Sequence, residues 1–130
     1  MPALVLIAED DDSLREAVAW SLRSEGYRAL EATDGESAIW TMMLHKIDLL
    51  IIDLKLPRTD GATVLRLMRN DGNLRSIPVL VTTGFPDLAP RDLALMTKPF
   101  SMRRLVDVVN GMLAGKQRRA TPVLSGSEPR

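Results

Sequence analysis

Short apolar runs alternate with amphipathic segments along the chain, and this alternation restricts the possible folds more than any other feature of the sequence. Three of the runs are continuous and rich in Val and Ile: LVLIA at 4–8, LLIID at 49–53 and PVLVTT at 78–83. Strands that are covered on both faces have this composition, which is typical of parallel sheets. The runs therefore predict the central strands of a buried parallel sheet.

The remaining elements complete a regular alternation of strands and helices. Weaker apolar runs at 27–32 and 94–97 predict two further strands, and helical spacing predicts helices at 13–25, 37–46, 62–69 and 102–113. Such an order is typical of a doubly wound α/β sandwich with a parallel sheet. After Gly115 the chain loses its periodicity and gathers Pro, Ser, Gly and Arg, so residues 1–115 are predicted to fold as one domain and 116–130 to form a disordered tail.

In such a fold, functional side chains collect where the strands end. Sites in open parallel sheets lie outside the carboxyl ends of the strands. Here the first strand is followed by Glu9 and Asp10, the third ends in Asp53, the fourth in Thr83, and the fifth is followed by Lys98. These five side chains are therefore predicted to converge on one edge of the sheet.

This set of side chains suits phosphoryl chemistry assisted by a divalent cation. Clustered carboxylates are ligands that Mg²⁺ prefers, and the cation would relieve their mutual repulsion. Asp53, at a strand end beside such a metal, is a candidate nucleophile towards phosphorus. Lys98 and Thr83 are candidates to hold phosphoryl oxygens, the first by charge and the second by a hydrogen bond.

Four motifs in this order resemble those of one known family. They are VLIAEDDDSLR, DLLIIDLKLPRTDG, PVLVTTG and TKPF, and the resemblance that they carry covers roughly residues 3–114. The chain resembles the receiver domains of two-component response regulators, the CheY-like family. The resemblance implies a flavodoxin-like, five-stranded parallel sheet in the order 2-1-3-4-5. It also implies a protein that is not an enzyme beyond its own phosphoryl transfer and dephosphorylation.

The resemblance assigns a role to each candidate residue. It implies that Asp53 accepts a phosphoryl group from a sensor histidine kinase or a histidine phosphotransfer protein, with Mg²⁺ as the cofactor. The implied metal ligands are Glu9, Asp10, Asp53 and the backbone carbonyl of Lys55. Thr83 matches the switch hydroxyl of the family. Lys98 matches its phosphate-binding lysine, which typically precedes a cis Lys-Pro bond.

The segment before Lys98 departs from the usual pattern of the family. Only fifteen positions separate Thr83 from Lys98, and Pro86 and Pro90 fall between them. The fourth helix is therefore predicted to be short or irregular, as in the minority of receivers with an A-T-G-Y-like motif, which TTGF at 82–85 resembles. Leu95 occupies the position of the usual aromatic switch residue. We expect a monomer that presents this region to a downstream protein partner.

Three other functions are compatible with parts of the pattern. A phosphatase of the haloacid dehalogenase type would need a second acid at the position of Lys55, and a nucleotide-binding module would need a glycine-rich loop that the sequence lacks. A pseudo-receiver, which binds proteins without accepting phosphate, would be expected to lack one of the site residues; it remains the alternative because of the unusual fourth-helix region. Asp11, Asp12 and Ser13 are interpreted as helix-capping residues rather than site residues.

Composition narrows the setting of the protein. Lys and Arg number 17, as do Asp and Glu, so there is no overall basic field of the kind that attracts nucleic acid. The absence of cysteine fits a reducing cytoplasm. No apolar stretch approaches the roughly 20 residues of a membrane-spanning helix, and no signal-peptide pattern is present. We therefore expect a cytoplasmic protein with no membrane association and no direct nucleic-acid binding.

Overall fold

The structure, a computed structural model, describes residues 1–120 of the chain and the side chains of residues 1–114. The elements in chain order are β1 (Leu4–Ala8), α1 (Asp12–Ser24), β2 (Arg28–Ala32), α2 (Gly35–Leu44), β3 (Leu49–Asp53), α3 (Gly61–Arg69), β4 (Val79–Thr83), a 3-10 helix (Pro86–Leu88), β5 (Ala94–Thr97) and α4 (Met102–Ala120). The strands form one parallel sheet in the order β2-β1-β3-β4-β5. The predicted α/β fold and strand order are thus confirmed.

Alternate residues of the central strands pack into two separate cores. On one face of the sheet, Leu6 and Ile52 pack with the apolar sides of α2 and α3. On the other face, Ile7 and Ile51 pack with α1 and α4. Because successive strand side chains point to opposite faces, strands covered on both sides must be apolar at every position. This two-sided burial explains the continuous apolar runs of β1, β3 and β4.

Aspartate caps define where three of the helices begin. The carboxylates of Asp11, Asp34 and Asp60 each accept a hydrogen bond from the backbone N–H three residues later, at 3.1, 2.7 and 2.9 Å. Such caps satisfy one of the free N–H groups of the first helical turn. The interpretation of the residues around Asp11 as capping residues is therefore confirmed, with Asp11 rather than Ser13 as the N-cap.

The region between β4 and β5 contains no regular α-helix. Its only helical element is the three-residue 3-10 helix, which begins at Pro86. A proline cannot donate a backbone hydrogen bond and restricts the residue before it, so the two prolines of this segment limit helix growth. The prediction of a short or irregular fourth helix is confirmed.

The last helix is longer than the sequence predicted. It runs from Met102 to Ala120, whereas the periodicity suggested an end at 113 and a disordered tail from 116. The residues at 116–119 are Lys, Gln, Arg and Arg, which favour helix, and a single glycine costs only about 1 kcal/mol in a helix interior. The first residues of the predicted tail, 116–120, thus fall within this helix, and the rest, 121–130, lie outside the described residues. Among the described helices, none combines the length and the apolar character needed to cross a membrane.

Candidate functional site

The sheet register places the ends of β1 and β3 side by side. Ala8 of β1 pairs with Ile52 of β3, so the residues that come next, Glu9 and Asp53, lie at the same level. On the other side of β3, Asp53 pairs with Thr82 of β4. The predicted convergence of these strand ends is therefore built into the register of the sheet.

Glu9, Asp10 and Asp53 form an acid cluster at this edge. Each offers one carboxylate oxygen, and the three oxygens lie within 4.8 Å of one another. Glu9 is 4% exposed and Asp53 6% exposed, whereas Asp10 is exposed to solvent. Two of the three carboxylates are thus held away from water, where negative charge needs a compensating cation.

Lys98 supplies a positive charge to the cluster. Its Nζ donates to Oε1 of Glu9 at 2.5 Å and to Oδ2 of Asp53 at 2.9 Å. The backbone N–H of Lys98 donates to the carbonyl of Thr83 at 2.8 Å, and the Lys98–Pro99 peptide bond is cis. The loop after β5 is therefore fixed to the end of β4, with the ammonium group between two carboxylates.

The pKa values of Lys98 and Glu9 are determined by burial and by the hydrogen bonds of Lys98. Burial lowers the pKa of Lys98, but its hydrogen bonds to Glu9 and Asp53 outweigh burial, and the pKa is raised. Burial raises the pKa of Glu9, and its hydrogen bonds to Lys98 and the Asp11 N–H offset this only partly. The charge of Asp53 contributes least to the rise in the pKa of Glu9. Desolvation, more than repulsion between carboxylates, thus disfavours the ionised form of Glu9.

The loop after β3 holds the carboxylate of Asp53 from its other side. The backbone N–H of Lys55 donates to Oδ1 of Asp53 at 3.1 Å. Gly61 follows at the start of α3, where a Cβ would lie 2.3 Å from the carbonyl oxygen of Asp53. Gly61 is therefore required by this close approach of two backbone segments.

Thr83 lies at the carboxyl end of β4 and is fully buried. Its Oγ1 accepts the backbone N–H of Phe85 at 2.9 Å. Within the described residues, no hydrogen bond joins the Thr83 hydroxyl to the carboxylates. The structure thus brings Glu9, Asp10, Asp53 and Lys98 together. Thr83 lies beside them, but its hydroxyl is hydrogen-bonded to the loop that follows β4.

Lys55 and Phe85 meet at the mouth of the site. Nζ of Lys55 lies 5.0 Å from the centroid of the Phe85 ring, within the range of a cation–π interaction. Lys55 belongs to the loop after β3 and Phe85 to the loop after β4, so this contact spans the two loops beside Asp53. Phe85 remains 54% exposed and Leu95 39% exposed. The side chains of Phe85 and Leu95 are therefore both accessible from solvent.

Arg15 is a part of this region that the sequence analysis did not identify. It is only 7% exposed, and its Nη1 donates to the backbone carbonyl of Glu9 at 3.0 Å. The spacing along α1 is the signal that could have revealed an inward-facing arginine. Arg15 precedes the buried Val18, Ala19 and Leu22 by three, four and seven residues, so it lies on the same helical face.

The cluster fits a magnesium ion by its chemistry. Mg²⁺ is a hard cation that binds through one or two carboxylates and keeps several waters. A buried pair of carboxylates beside an exposed third offers such ligands together with access to solvent. The roles implied for Glu9, Asp10 and Asp53 are compatible with this arrangement, and the carbonyl of Lys55 lies two residues beyond Asp53, on the loop that follows β3.

Comparisons with known proteins agree with the motifs. The family model for the response regulator receiver domain matches residues 5–110. The transcriptional regulatory protein PdtaR of Mycobacterium tuberculosis is 37% identical over 134 residues, which cover 97% of this chain and 63% of that protein. Over the first curated relatives, this chain spans from 53% to 63% of their length.

Solved structures agree with the fold. The receiver domain of the hybrid histidine kinase CckA is 34% identical, with a TM-score of 0.75, and the match covers 85% of this chain and 99% of that one. The receiver domain of a sensor histidine kinase from Pseudomonas aeruginosa was solved with a magnesium ion coordinated in its active-site cleft. It matches with a TM-score of 0.78 at 24% identity, covering 88% of this chain and 99% of that chain.

Proposed function

This chain belongs to the response regulator receiver domain family, and on that basis we propose that it accepts a phosphoryl group on Asp53 from a histidine kinase or a histidine phosphotransfer protein. The observation that carries the proposal is the setting of the Asp53 carboxylate. It is buried at a strand end, beside Glu9 and Asp10, with the Lys98 ammonium 2.9 Å away. No other aspartate in the described part of the chain has this combination of neighbours.

In the proposed transfer, a carboxylate oxygen of Asp53 attacks phosphorus. A bond forms between that oxygen and phosphorus as the bond from phosphorus to the imidazole nitrogen of the donor histidine breaks, and the imidazole keeps the electron pair. Positioning and charge neutralisation supply most of the catalysis in such transfers. The N–H of Lys55, which donates to Oδ1 of Asp53, fixes the orientation of the nucleophile.

Magnesium would be held by Glu9, Asp10, Asp53 and the carbonyl of Lys55, and when bound it would supply positive charge to the phosphoryl oxygens. Lys98 contributes a second positive charge from the chain itself. Its ammonium group has three donors and already reaches two carboxylates, so it is suited to transfer one of these contacts to a phosphoryl oxygen.

Thr83 is proposed to report the modification. Its hydroxyl accepts the N–H of Phe85 and keeps its own proton available for donation. Donation to a phosphoryl oxygen on Asp53 would draw the end of β4, and with it the loop 84–93, towards the site. In this way the chain would signal to a downstream protein partner. In this proposal it is a cytoplasmic receiver, and its only chemical action is on its own Asp53.

The test of the proposed function is phosphorylation by acetyl phosphate with Mg²⁺, followed by measurement of intact mass. The wild-type chain should gain one phosphoryl group and Asp53→Asn none. Asp60→Asn is the matched control, because Asp60 lies at the other end of the loop that follows Asp53 and asparagine keeps its capping role; it should be labelled like the wild type. Failure to label the wild type would favour the pseudo-receiver alternative, and equal labelling of Asp53→Asn would exclude Asp53 as the acceptor.

A further inference from the structure

Arg15 connects three parts of the structure at the edge of the acid cluster. It lies in the first turns of α1, its Nη1 donates to the carbonyl of Glu9 at 3.0 Å, and its Nε donates to Glu31 of β2 at 3.1 Å. A third contact, 2.8 Å long, joins it to the exposed Asp12. The guanidinium thus ties α1 and β2 to the peptide that follows β1.

The residue that it holds is central to the site. The backbone N–H of Glu9 donates to the carbonyl of Ala32 at 3.0 Å, and its side chain accepts hydrogen bonds from Lys98 and from the N–H of Asp11. Arg15 satisfies the carbonyl of the same residue, which is where the chain leaves the sheet towards Asp10. The direction of that exit determines where the carboxylate of Asp10 lies.

From these contacts we propose that Arg15 is a positioning residue for the acid cluster, and that Glu31 holds it in place. The importance of this positioning rests on the proposed function. The positioning itself concerns the geometry of Glu9 and Asp10, and it can be measured without phosphorylation. Residues that orient metal ligands commonly change metal affinity about tenfold or more when they are replaced. The planar guanidinium donates in two directions at once, which a lysine ammonium at the same place would do less well.

The sign of the effect separates positioning from simple electrostatics. Removing a cation from the neighbourhood of clustered carboxylates should tighten Mg²⁺ binding by charge alone. Loss of positioning should weaken it, because the ligands would no longer be held towards one point. Weaker binding after removal of Arg15 therefore cannot be due to the lost charge.

The experiment measures Mg²⁺ affinity by calorimetric titration of Arg15→Met, Arg15→Lys and the control Arg23→Met. Arg23 also lies on α1 and also contacts Glu31, at 3.6 Å, but it donates to the carbonyl of Ala29 and does not touch Glu9. We expect the Mg²⁺ Kd to rise about tenfold in Arg15→Met, less in Arg15→Lys, and to stay unchanged in Arg23→Met. Unchanged or tighter binding in Arg15→Met, or an equal loss in Arg23→Met, would overturn the proposal.

A second measurement needs no metal and no phosphodonor. Amide hydrogen exchange in the metal-free protein should become faster at Glu9 and Asp11 in Arg15→Met and remain unchanged in Arg23→Met. Both amides belong to the segment that Arg15 holds: the Glu9 N–H donates to the carbonyl of Ala32, and the Asp11 N–H donates to the carboxylate of Glu9. Unaltered exchange at both amides would overturn the proposal even in a chain that fails to bind Mg²⁺. If Arg15→Met does not fold, Glu31→Gln replaces it, with smaller changes in the same direction expected; no change would contradict the proposal. Failure of Asp53 labelling, by contrast, would contradict only the proposed function.

Discussion

Nζ of Lys98 lies 2.9 Å from Oδ2 of Asp53, although the two residues are 45 positions apart in the chain. The contact joins the loop after β5 to the end of β3, and the same ammonium group reaches Glu9. In the absence of metal, Lys98 is therefore the cation that neutralises the cluster. A bound Mg²⁺ would share with Lys98 the neutralisation of these carboxylates.

This relationship predicts opposite effects of Lys98→Met on metal binding and on phosphorylation. Mg²⁺ should bind more tightly, by roughly tenfold or about 1.4 kcal/mol, because the carboxylates lose the competing cation. Phosphorylation by acetyl phosphate should nevertheless be slower, because a phosphoryl oxygen loses its partner. Titration calorimetry and intact mass measure the two effects. Lys46→Met is the control, since Lys46 is exposed just before the amino end of β3, away from the site; weaker Mg²⁺ binding in Lys98→Met would contradict the prediction.

The exposed member of the acid cluster yields a second prediction. Asp10→Ala should abolish measurable Mg²⁺ binding while the protein stays folded, because Asp10 is exposed and the buried contacts of Glu9 and Asp53 remain. The metal-free variant should be as stable as the wild type or slightly more stable, since repulsion between carboxylates falls. Thermal unfolding with and without Mg²⁺ measures both. Unchanged metal-induced stabilisation in Asp10→Ala would count against the assignment.

Metal binding is better followed by calorimetry or NMR than by tryptophan fluorescence. Trp20 and Trp40 are 72% and 58% exposed, and both lie several residues along their helices. Eight residues separate Trp20 from the start of α1, which corresponds to about 12 Å along the helix axis. Neither indole is therefore a suitable reporter of the acid cluster.

The contact between Lys55 and Phe85 predicts the lifetime of the modification. The two side chains are in contact across the loops that follow β3 and β4. We expect them to restrict the approach of water to a phosphoryl group on Asp53. Phe85→Glu should therefore lose the modification several times faster than the wild type, because a polar side chain would admit water and abolish the cation–π contact. Leu88→Glu is the control on the same segment, where Leu88 is 61% exposed. A slower decay in Phe85→Glu than in the wild type would refute the shielding role.

The cap of α2 predicts a pH-dependent contribution to stability. The N–H of Ser37 lowers the pKa of Asp34 below its ordinary value of 3.8, so the ionised cap stabilises the folded state above that value. The stabilisation is lost as the pH falls below 3.8 through the folded pKa. Asp34→Ala should cost about 1 kcal/mol at pH 7, and the difference from wild type should shrink in this acidic range. Urea unfolding at a series of pH values measures it.

Asn is the matched replacement at this position. Asp34→Asn keeps a capping oxygen but has no titrating carboxyl, so its stability should vary less than that of the wild type below pH 3.8. An equal acid dependence in the wild type and in Asp34→Asn would show that the carboxyl of Asp34 does not contribute to it.

The sequence predicted the elements whose signals are local. Two-sided burial makes each central strand continuously apolar, which is visible in each segment by itself. The first acid, hydroxyl or lysine after such a run indicates where the strand ends. The convergence of the site residues followed from the residues at the strand ends, and the strand order followed from the resemblance that the four motifs carry. The end of α4 was placed too early because helix-favouring residues without a periodic apolar face were interpreted as a tail.

The features that the sequence did not reveal depend on contacts between distant segments. The role of Arg15 requires knowing that the carbonyl of Glu9 faces α1. The need for Gly61 arises from the path of the chain near Asp53, which no pattern of neighbouring residues records. Likewise, the raised pKa of Glu9 follows mainly from its burial and not from the row of acids around it. Such facts exist only after the strands have packed.

The region between β4 and β5 gives the last prediction. Its side chains Ala89 and Leu93 pack partly against the core, and Asp92 forms an ion pair with Arg69 of α3 at 3.0 Å. The loop is therefore anchored at its far end, while Phe85 at its near end is bonded to the Thr83 hydroxyl. If Thr83 turns towards a phosphoryl group, the near end must follow, and Gly84 leaves the backbone free to do so.

We accordingly expect this receiver to signal as a monomer, through ordering of residues 84–93. A stable interface buries about 800 Å² on each partner, and a three-residue 3-10 helix offers little of the area that a full fourth helix would add. Hydrogen exchange at residues 84–93 should slow when a beryllofluoride mimic binds with Mg²⁺, and light scattering should still report a monomer. Asp53→Asn is the control and should show neither mimic binding nor slower exchange. A dimer induced by the mimic, with exchange in this segment unchanged, would rule out the mechanism, because the signal would then pass through a face other than the loop.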